Sequence, residues 1–280
     1  MYEQHFGFSE LPFTLTPNTH FYLNAACHRN ALETVIVALD TMEGFIKIVG
    51  EVGTGKTLLC RRLLNELTAP YLTAYIPNPL LAPTDLWRAL ADELGIGCQG
   101  TQSKHEILKS INSRLTELAA EGRRVVLLID EAQAMPTKTI EALRLLTNLE
   151  TESSKLLQVV LFGQPELDKL LASEQLRQLR QRITFQDYLQ PLDPPAVAHY
   201  IQHRIALAGY NGPDLFQRRA LKLVAKSSQG IPRVINVVAH KALLSAFGEG
   251  VGAVEARHVR LAVKDTLAVS PFWGWLRSWA

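Results

Sequence analysis

Short apolar runs and helix-period stretches take turns along the first two thirds of the chain. Runs with little polar alternation occupy residues 45–49, 71–76, 125–129 and 156–162. Each predicts a strand buried on both faces, because a strand with one wet side would alternate. Between them, apolar residues recur at helical spacing over 56–67, 84–94, 103–120 and 137–149. Ahead of the first run, Leu32, Val35, Ile36 and Leu39 mark a helix over 28–42. Strands separated by helices predict an α/β fold, a parallel sheet covered by helices on both faces. A further run at 183–189 reads as a fifth strand.

The pattern then changes. Pro191, Pro194 and Pro195 interrupt the chain, and the remainder reads as helices over 196–208, 214–227, 232–247 and 255–268. The expected organisation is a sheet-bearing core over 1–190, an all-helical domain over 191–270, and a tail over 271–280. The first two dozen residues, with Tyr2, Phe6, Phe8, Phe13, Phe21 and Tyr22 broken by Pro12 and Pro17, read as an extended segment laid over the core.

Chemistry concentrates at two strand ends. The first run leads into Gly50-Glu51-Val52-Gly53-Thr54-Gly55-Lys56-Thr57, and a helix starting through Leu58 leads out. This is the G-x-x-x-x-G-K-[ST] pattern of a phosphate-binding loop. Its glycines let backbone N–H groups turn inward around phosphates, and the following helix presents its positive end. Lys56 can reach the β- and γ-phosphates of ATP, and the Thr57 hydroxyl can ligate Mg2+. The third run ends in Asp130-Glu131. A buried parallel strand delivers such carboxylates to the crevice at its C-terminal edge. There Asp130 can hold the Mg2+ shell and Glu131 can take a proton from the attacking water.

Three other positions extend this reading. Gln164 follows the fourth run, either positioning water or γ-phosphate or serving as a turn residue in Gly163-Gln164-Pro165. Arg177, Arg180 and Arg182 precede the fifth run, where one can act on a neighbouring subunit's nucleotide or simply face solvent. Arg233 falls in the first turn of a helix, where a cation opposes the helix dipole unless a phosphate is its partner.

Composition narrows the setting. The chain has 280 residues, 47% hydrophobic and 20% charged, which excludes wholesale disorder. No run of 18 apolar residues occurs, and the opening MYEQHFGFSE lacks the basic start and apolar stretch of a secretion signal. Cys27, Cys60 and Cys98 have no metal-ligand spacing, so a reducing cytoplasm is expected. The net charge of +2 is uneven: residues 1–190 carry 18 Lys+Arg against 22 Asp+Glu, and residues 191–280 carry 11 against 5. A basic C-terminal third can meet nucleic acid, anionic lipid or an acidic protein surface.

The order of parts resembles the AAA+ ATPases of the ExeA/GspA type. The likeness lies in Phe6-Gly7-Phe8, Pro12-Phe13, Thr16-Pro17, His28-Arg29, residues 50–57 and Asp130-Glu131-Ala132-Gln133. It continues through Gly163-Gln164-Pro165-Glu166-Leu167, residues 179–183 and residues 230–236. The resemblance implies a sheet with a helical lid, ATP at their junction, and assembly into an ATP-dependent homo-oligomer. It makes Gln164 the first sensor, Arg182 the finger offered to a neighbour and Arg233 the second sensor.

The expected function is an oligomerising motor or switch in type IV (mannose-sensitive haemagglutinin) pilus or secretion machinery, with assembly proteins as partners. A DNA-binding AAA+ regulator of the transposition type is the alternative, and a small nucleotide kinase fits less well. No helix-turn-helix, zinc motif or long Lys/Arg cluster occurs, so nucleic acid is not an expected partner. ExeA-type relatives continue into a membrane span and a cell-wall-binding region that this sequence does not carry, so a cytoplasmic ATPase is expected. Phe272, Trp275, Leu276 and Trp279 would share one helical face, suited to peripheral contact with the inner membrane, to a partner groove, or to packing on the lid.

Overall fold

The structure, a computed structural model, describes residues 2–16, 18–97, 102–147 and 155–266. The expected aromatic tail and the predicted helix ends at 148–149 and 267–268 lie outside the described residues.

In chain order the elements begin with α1 (Tyr2–Phe6), α2 (Ala26–Asp40), β1 (Phe45–Gly50), α3 (Lys56–Glu66), β2 (Tyr71–Ile76), α4 (Pro83–Glu93) and α5 (Lys104–Ala120). They continue with β3 (Arg124–Ile129), α6 (Thr137–Leu146), β4 (Leu157–Gly163), α7 (Glu166–Leu171), α8 (Arg177–Arg180) and β5 (Ile183–Leu189). The last four are α9 (Pro194–Leu207), α10 (Arg218–Ser228), α11 (Pro232–Gly248) and α12 (Ala256–Lys264). The described residues divide into two compact units: one within His28–Val52 and Lys56–Leu189, the other within Met1–Cys27, Gly53–Gly55 and Gln190–Ala280.

The sheet unit is built on five parallel strands in the order β2-β3-β4-β1-β5. Strands β1 and β4 are buried at every position, their largely apolar runs interrupted only by Lys47, which pairs with Asp168, and Gln158, which donates to the carbonyls of Leu39 and Glu43. Successive residues point into two different cores. Phe45, Val49, Leu127, Ile129, Val159 and Leu161 pack on one face with residues of α4, α5 and α6. Ile46, Ile48, Val126, Leu128, Val160 and Phe162 pack on the other with residues of α2 and α3. Burying each such side chain contributes about 1.5–3 kcal/mol, so the two-faced sheet is the dominant favourable term. β5, at the edge, alternates instead, exposing Thr184, Gln186 and Tyr188.

Local signals set several helix starts. Ser103 and Glu106 close a capping box on α5, with Glu106 N–H donating to Ser103 Oγ (3.3 Å) and Ser103 N–H to Glu106 Oε2 (2.6 Å). Asp193 caps α9, accepting from Ala196 N–H at 2.7 Å, and Pro194 and Pro195 occupy its first turn. The predicted helix over 214–227 starts four residues later, because Phe216 pairs in parallel with Val254. That bridge is made by Gln217 N–H to Val254 O (3.0 Å) and Val254 N–H to Leu215 O (2.7 Å).

The first residues depart from expectation. They are partly helical, in α1 and a 3-10 turn at Thr19–Phe21, and they belong to the helical unit. Tyr2, Phe6, Phe8, Phe13 and Phe21 enter one core with Val197, Ile201, Ile235, Val238 and Val259. A small helical unit has little apolar surface of its own, and these rings complete it. A buried polar network then ties the segment down. Arg204 Nε donates to Pro12 O (2.6 Å) and its guanidinium lies 4.5 Å from the Phe21 ring centroid. Another Arg204 nitrogen donates to Tyr200 Oη (3.1 Å), Tyr200 donates to Asn236 Oδ1 (2.9 Å), and Asn236 Nδ2 donates to Thr14 O (3.1 Å).

Arg204→Met keeps most of the packing but strands the Pro12 carbonyl. Hydrogen bonds to a charged group are worth roughly 1.5–3 kcal/mol, and a loss of that order is expected in urea denaturation. Faster proteolytic cleavage within residues 9–16 should accompany it.

Candidate active site

All five strands run the same way, so their C-terminal ends share one edge. The register sets Val49 of β1 beside Gly163 of β4, and Ile129 of β3 beside Leu161. The loop after β1, Gln164 after β4 and Asp130-Glu131 after β3 therefore emerge together.

The loop itself follows the expected geometry. Gly53 (φ +84°) and Gly55 (φ +102°) hold left-handed conformations that other residues rarely adopt. Gly50 ends β1, Glu51 and Val52 are exposed, Thr54 is buried, and Thr57 and Leu58 are half-buried in the first turn of α3. Lys56 is only 5% exposed, and its ammonium donates to the carbonyls of Gly50 (2.7 Å) and Glu51 (3.0 Å). Among the described residues it makes no ion pair. Burial holds the Lys56 ammonium below its ordinary value, against the upward pull of Glu131, Asp130, Glu51 and Glu166.

Across β4, Asp130 is 3% exposed and accepts hydrogen bonds from the Thr57 hydroxyl and from Glu131 N–H, the latter at 2.9 Å. Burial pushes its carboxyl above the usual range. Those two donors lower it, the charge of Glu131 raises it and Lys56 lowers it. Glu131 sits in the left-handed region (φ 51°, ψ 36°), a strained conformation for a residue with a side chain. Its Oε2 accepts from Gln164 Nε2 (3.0 Å) and from Gln133 Nε2 (2.6 Å). Gln133, given no role in the expected site, is thus part of it; the sequence signal for it is its place in the Asp130-Glu131-Ala132-Gln133 stretch that carries the resemblance.

The residues present fit a magnesium nucleotide. A loop of inward-turning backbone, a buried ammonium and a hydroxyl–carboxylate pair match phosphates and a hard cation. No group of three His, Cys, Asp or Glu side chains among the described residues can hold a metal alone. Thr57 and Asp130 are the two protein ligands such an ion would have here.

One expected arginine, Arg182, stands apart from this cluster. Arg182 is exposed just ahead of β5, whose Ile183 pairs with Phe45 while its Leu189 pairs with Gly50. It therefore lies at the opposite edge of the sheet, a strand length of roughly 20 Å from the loop. Arg233 is the second residue of α11, and within the helical unit its N–H donates to Gly53 O at 3.2 Å. A Cβ built on Gly53 would come within 2.7 Å of Arg233 Cβ.

Comparison with known proteins agrees with this arrangement. Residues 40–171 match the family described as AAA domain. The Aeropyrum pernix ORC2 protein in its ADPNP–ADP complexes superimposes with a TM-score of 0.64 at 19% identity, covering 95% of this chain and 75% of that one. Thermotoga maritima RuvB, the Holliday junction branch migration motor, gives 0.54 at 18% identity, with 84% and 68% covered. The fold is that of the AAA P-loop NTPases. In sequence, this chain is 40% identical over 269 residues to general secretion pathway protein A of Aeromonas hydrophila. That alignment takes in 96% of this chain and 49% of the relative, so the chain spans about half the length of that protein. The AAA domain match and the geometry of the phosphate loop support ATPase activity.

The raised Asp130 carboxyl carries a sign. A carboxylate whose pKa rises on folding destabilises the folded state above its folded pKa, and the cost vanishes as pH falls below the unfolded value. Asp130→Asn should therefore raise the melting temperature of the nucleotide-free protein at pH 7. The gain should shrink toward pH 4, as calorimetry across that range would record.

Proposed function

We propose that this chain binds ATP with Mg2+ and hydrolyses it, as an oligomerising motor or switch serving secretion or type IV pilus machinery. One observation carries the reading: the buried Lys56 ammonium, whose hydrogen-bond partners among the described residues are two loop carbonyls, sits beside the Thr57–Asp130 pair and the amide-held Glu131. In this reading Gly50, Glu51, Val52, Gly53, Thr54, Gly55 and Leu58 wrap the phosphates with backbone N–H groups. Lys56 leaves its two carbonyls for the β- and γ-phosphates. Thr57 and Asp130 would hold Mg2+, which would supply positive charge against the phosphates. Glu131 receives the proton of the attacking water, and Gln164 orients that water from the end of β4.

Arg182 and Arg233 are assigned to charge that develops in the transition state. Arg182 lies too far from its own loop to act there, so it serves a neighbouring copy, which requires assembly. Arg233, on the helix whose first turn meets Gly53, responds to the γ-phosphate as second sensor. Two domains, a nucleotide-binding core and a helical lid, are proposed to work together in this way. At the level of the individual machine, the chain resembles MshM of mannose-sensitive haemagglutinin pilus biogenesis. Secretion or pilus assembly proteins are its proposed partners, on the cytoplasmic side of the inner membrane. No helix among the described residues is long and apolar enough to cross a membrane. Peripheral contact is assigned to the stripe of Phe272, Trp275, Leu276 and Trp279.

Glu131→Gln should bind ATP like the parent and turn it over roughly 10²–10⁴ times more slowly, the usual worth of a general base. Turnover within threefold of the parent would remove Glu131 from that role. Arg182→Ala should bind ATP and hydrolyse little. Mixing it with Glu131→Gln should restore part of the activity, because some interfaces then pair an intact Glu131 with an intact Arg182. No recovery, with parental activity independent of protein concentration, would show a site complete in one chain.

A further inference from the structure

We propose that Gln133 is a positioning residue that locks the Glu131 carboxylate to the end of β4; this rests on the ATPase reading above. Three hydrogen bonds close a ring. Gln133 Nε2 donates to Glu131 Oε2 at 2.6 Å, Gln164 Nε2 donates to the same oxygen at 3.0 Å, and Gln164 N–H donates to Gln133 Oε1 at 3.0 Å. The last bond decides the amide's orientation. A backbone N–H needs an acceptor, so Oε1 faces Gln164 and the NH2 group faces the carboxylate.

The ring has a purpose that packing does not explain. Glu131 leaves β3 in a left-handed conformation, on a turn that offers its side chain no helix or strand to lean on. A free carboxylate there would sample several rotamers. Two amides converging on Oε2 select one, and neither bond uses Oε1, which is left to take the proton. Gln164 alone cannot do this, since one hydrogen bond leaves the carboxylate free to swing about it.

The backbone is shaped for the ring. Gly163 ends β4 where a Cβ would come within 2.6 Å of Leu167 Cδ2 and 3.3 Å of Gln133 Oε1. A larger residue there would first displace Leu167 and would press on Gln133 Oε1. Ala132, between the two ring members, is fully buried in the sheet core, so the 3-10 turn at Ala132–Ala134 is anchored from below. Anchored on both sides, Gln133 ties the strand bearing the base to the strand bearing Gln164.

The test compares the parent with Gln133→Met, which keeps the volume without the amide, and Gln133→Ala. ATP affinity, KM and kcat are measured with Mg2+ at a protein concentration that saturates assembly. Both variants should bind ATP within about twofold of the parent, with KM likewise unmoved. Their kcat should fall roughly 10- to 100-fold, the range commanded by residues that orient a reacting group from behind. A Met variant with kcat within twofold overturns the role. A fall in kcat accompanied by an equal loss of ATP affinity also overturns it, since disturbed packing of the whole site would then account for Gln133. The parent's own turnover separates the two readings: a parent that binds ATP but never hydrolyses it ends the ATPase assignment first.

Discussion

Strand β4 lies between the strand that carries the phosphate loop and the strand that carries the carboxylates, and everything at the site depends on that insertion. It is buried along its whole length, so it cannot shift without opening two cores at once. It sets the spacing between Lys56 and Asp130-Glu131, and its last residues, Gly163 and Gln164, fill the gap. Polar groups at the end of such a strand cannot turn to water freely, and each therefore finds a partner there.

The consequence is a site whose charges are held at a cost. Lys56 and Asp130 are both buried, and burial disfavours the charged form of each. Each is kept by short hydrogen bonds to groups that carry no full charge: two carbonyls for Lys56, a hydroxyl and an N–H for Asp130. Exchange of those neutral partners for phosphate and a divalent cation would relieve both at once. Buried charges of this kind favour a ligand whose charges match their own.

The helical unit solves a different problem. Four helices of nine to seventeen residues leave a small core, and the aromatic N-terminal segment finishes it. Arg204, Tyr200 and Asn236 then meet the backbone carbonyls of Pro12 and Thr14, which an apolar contact alone would leave unsatisfied. The basic excess of the last third stays on the surface of α10 and α12, at Arg218, Arg219, Lys222, Lys226, Arg260 and Lys264.

The amino-acid order by itself determined the parallel sheet, the phosphate loop and the carboxylates, because each is a local pattern. An apolar run without alternation has to be buried on both faces, and glycines flanking a Lys-Thr pair before a helix admit few other uses. Tertiary structure alone decided which strand stands beside which. The same runs allow other orders, and only β4 between β1 and β3 brings Gln164 to Glu131. Gln133 was legible as part of the Asp130-Glu131-Ala132-Gln133 stretch but its contacts were not, for the same reason: its partners are Glu131, two residues away, and Gln164, thirty-one residues away, and no periodicity links them. The fate of the first residues was also non-local, since aromatic rings specify that they will be buried but not in which core. Arg182 was legible as a cation before a strand, yet its distance from its own loop is a property of strand register, which pairing across the sheet determines.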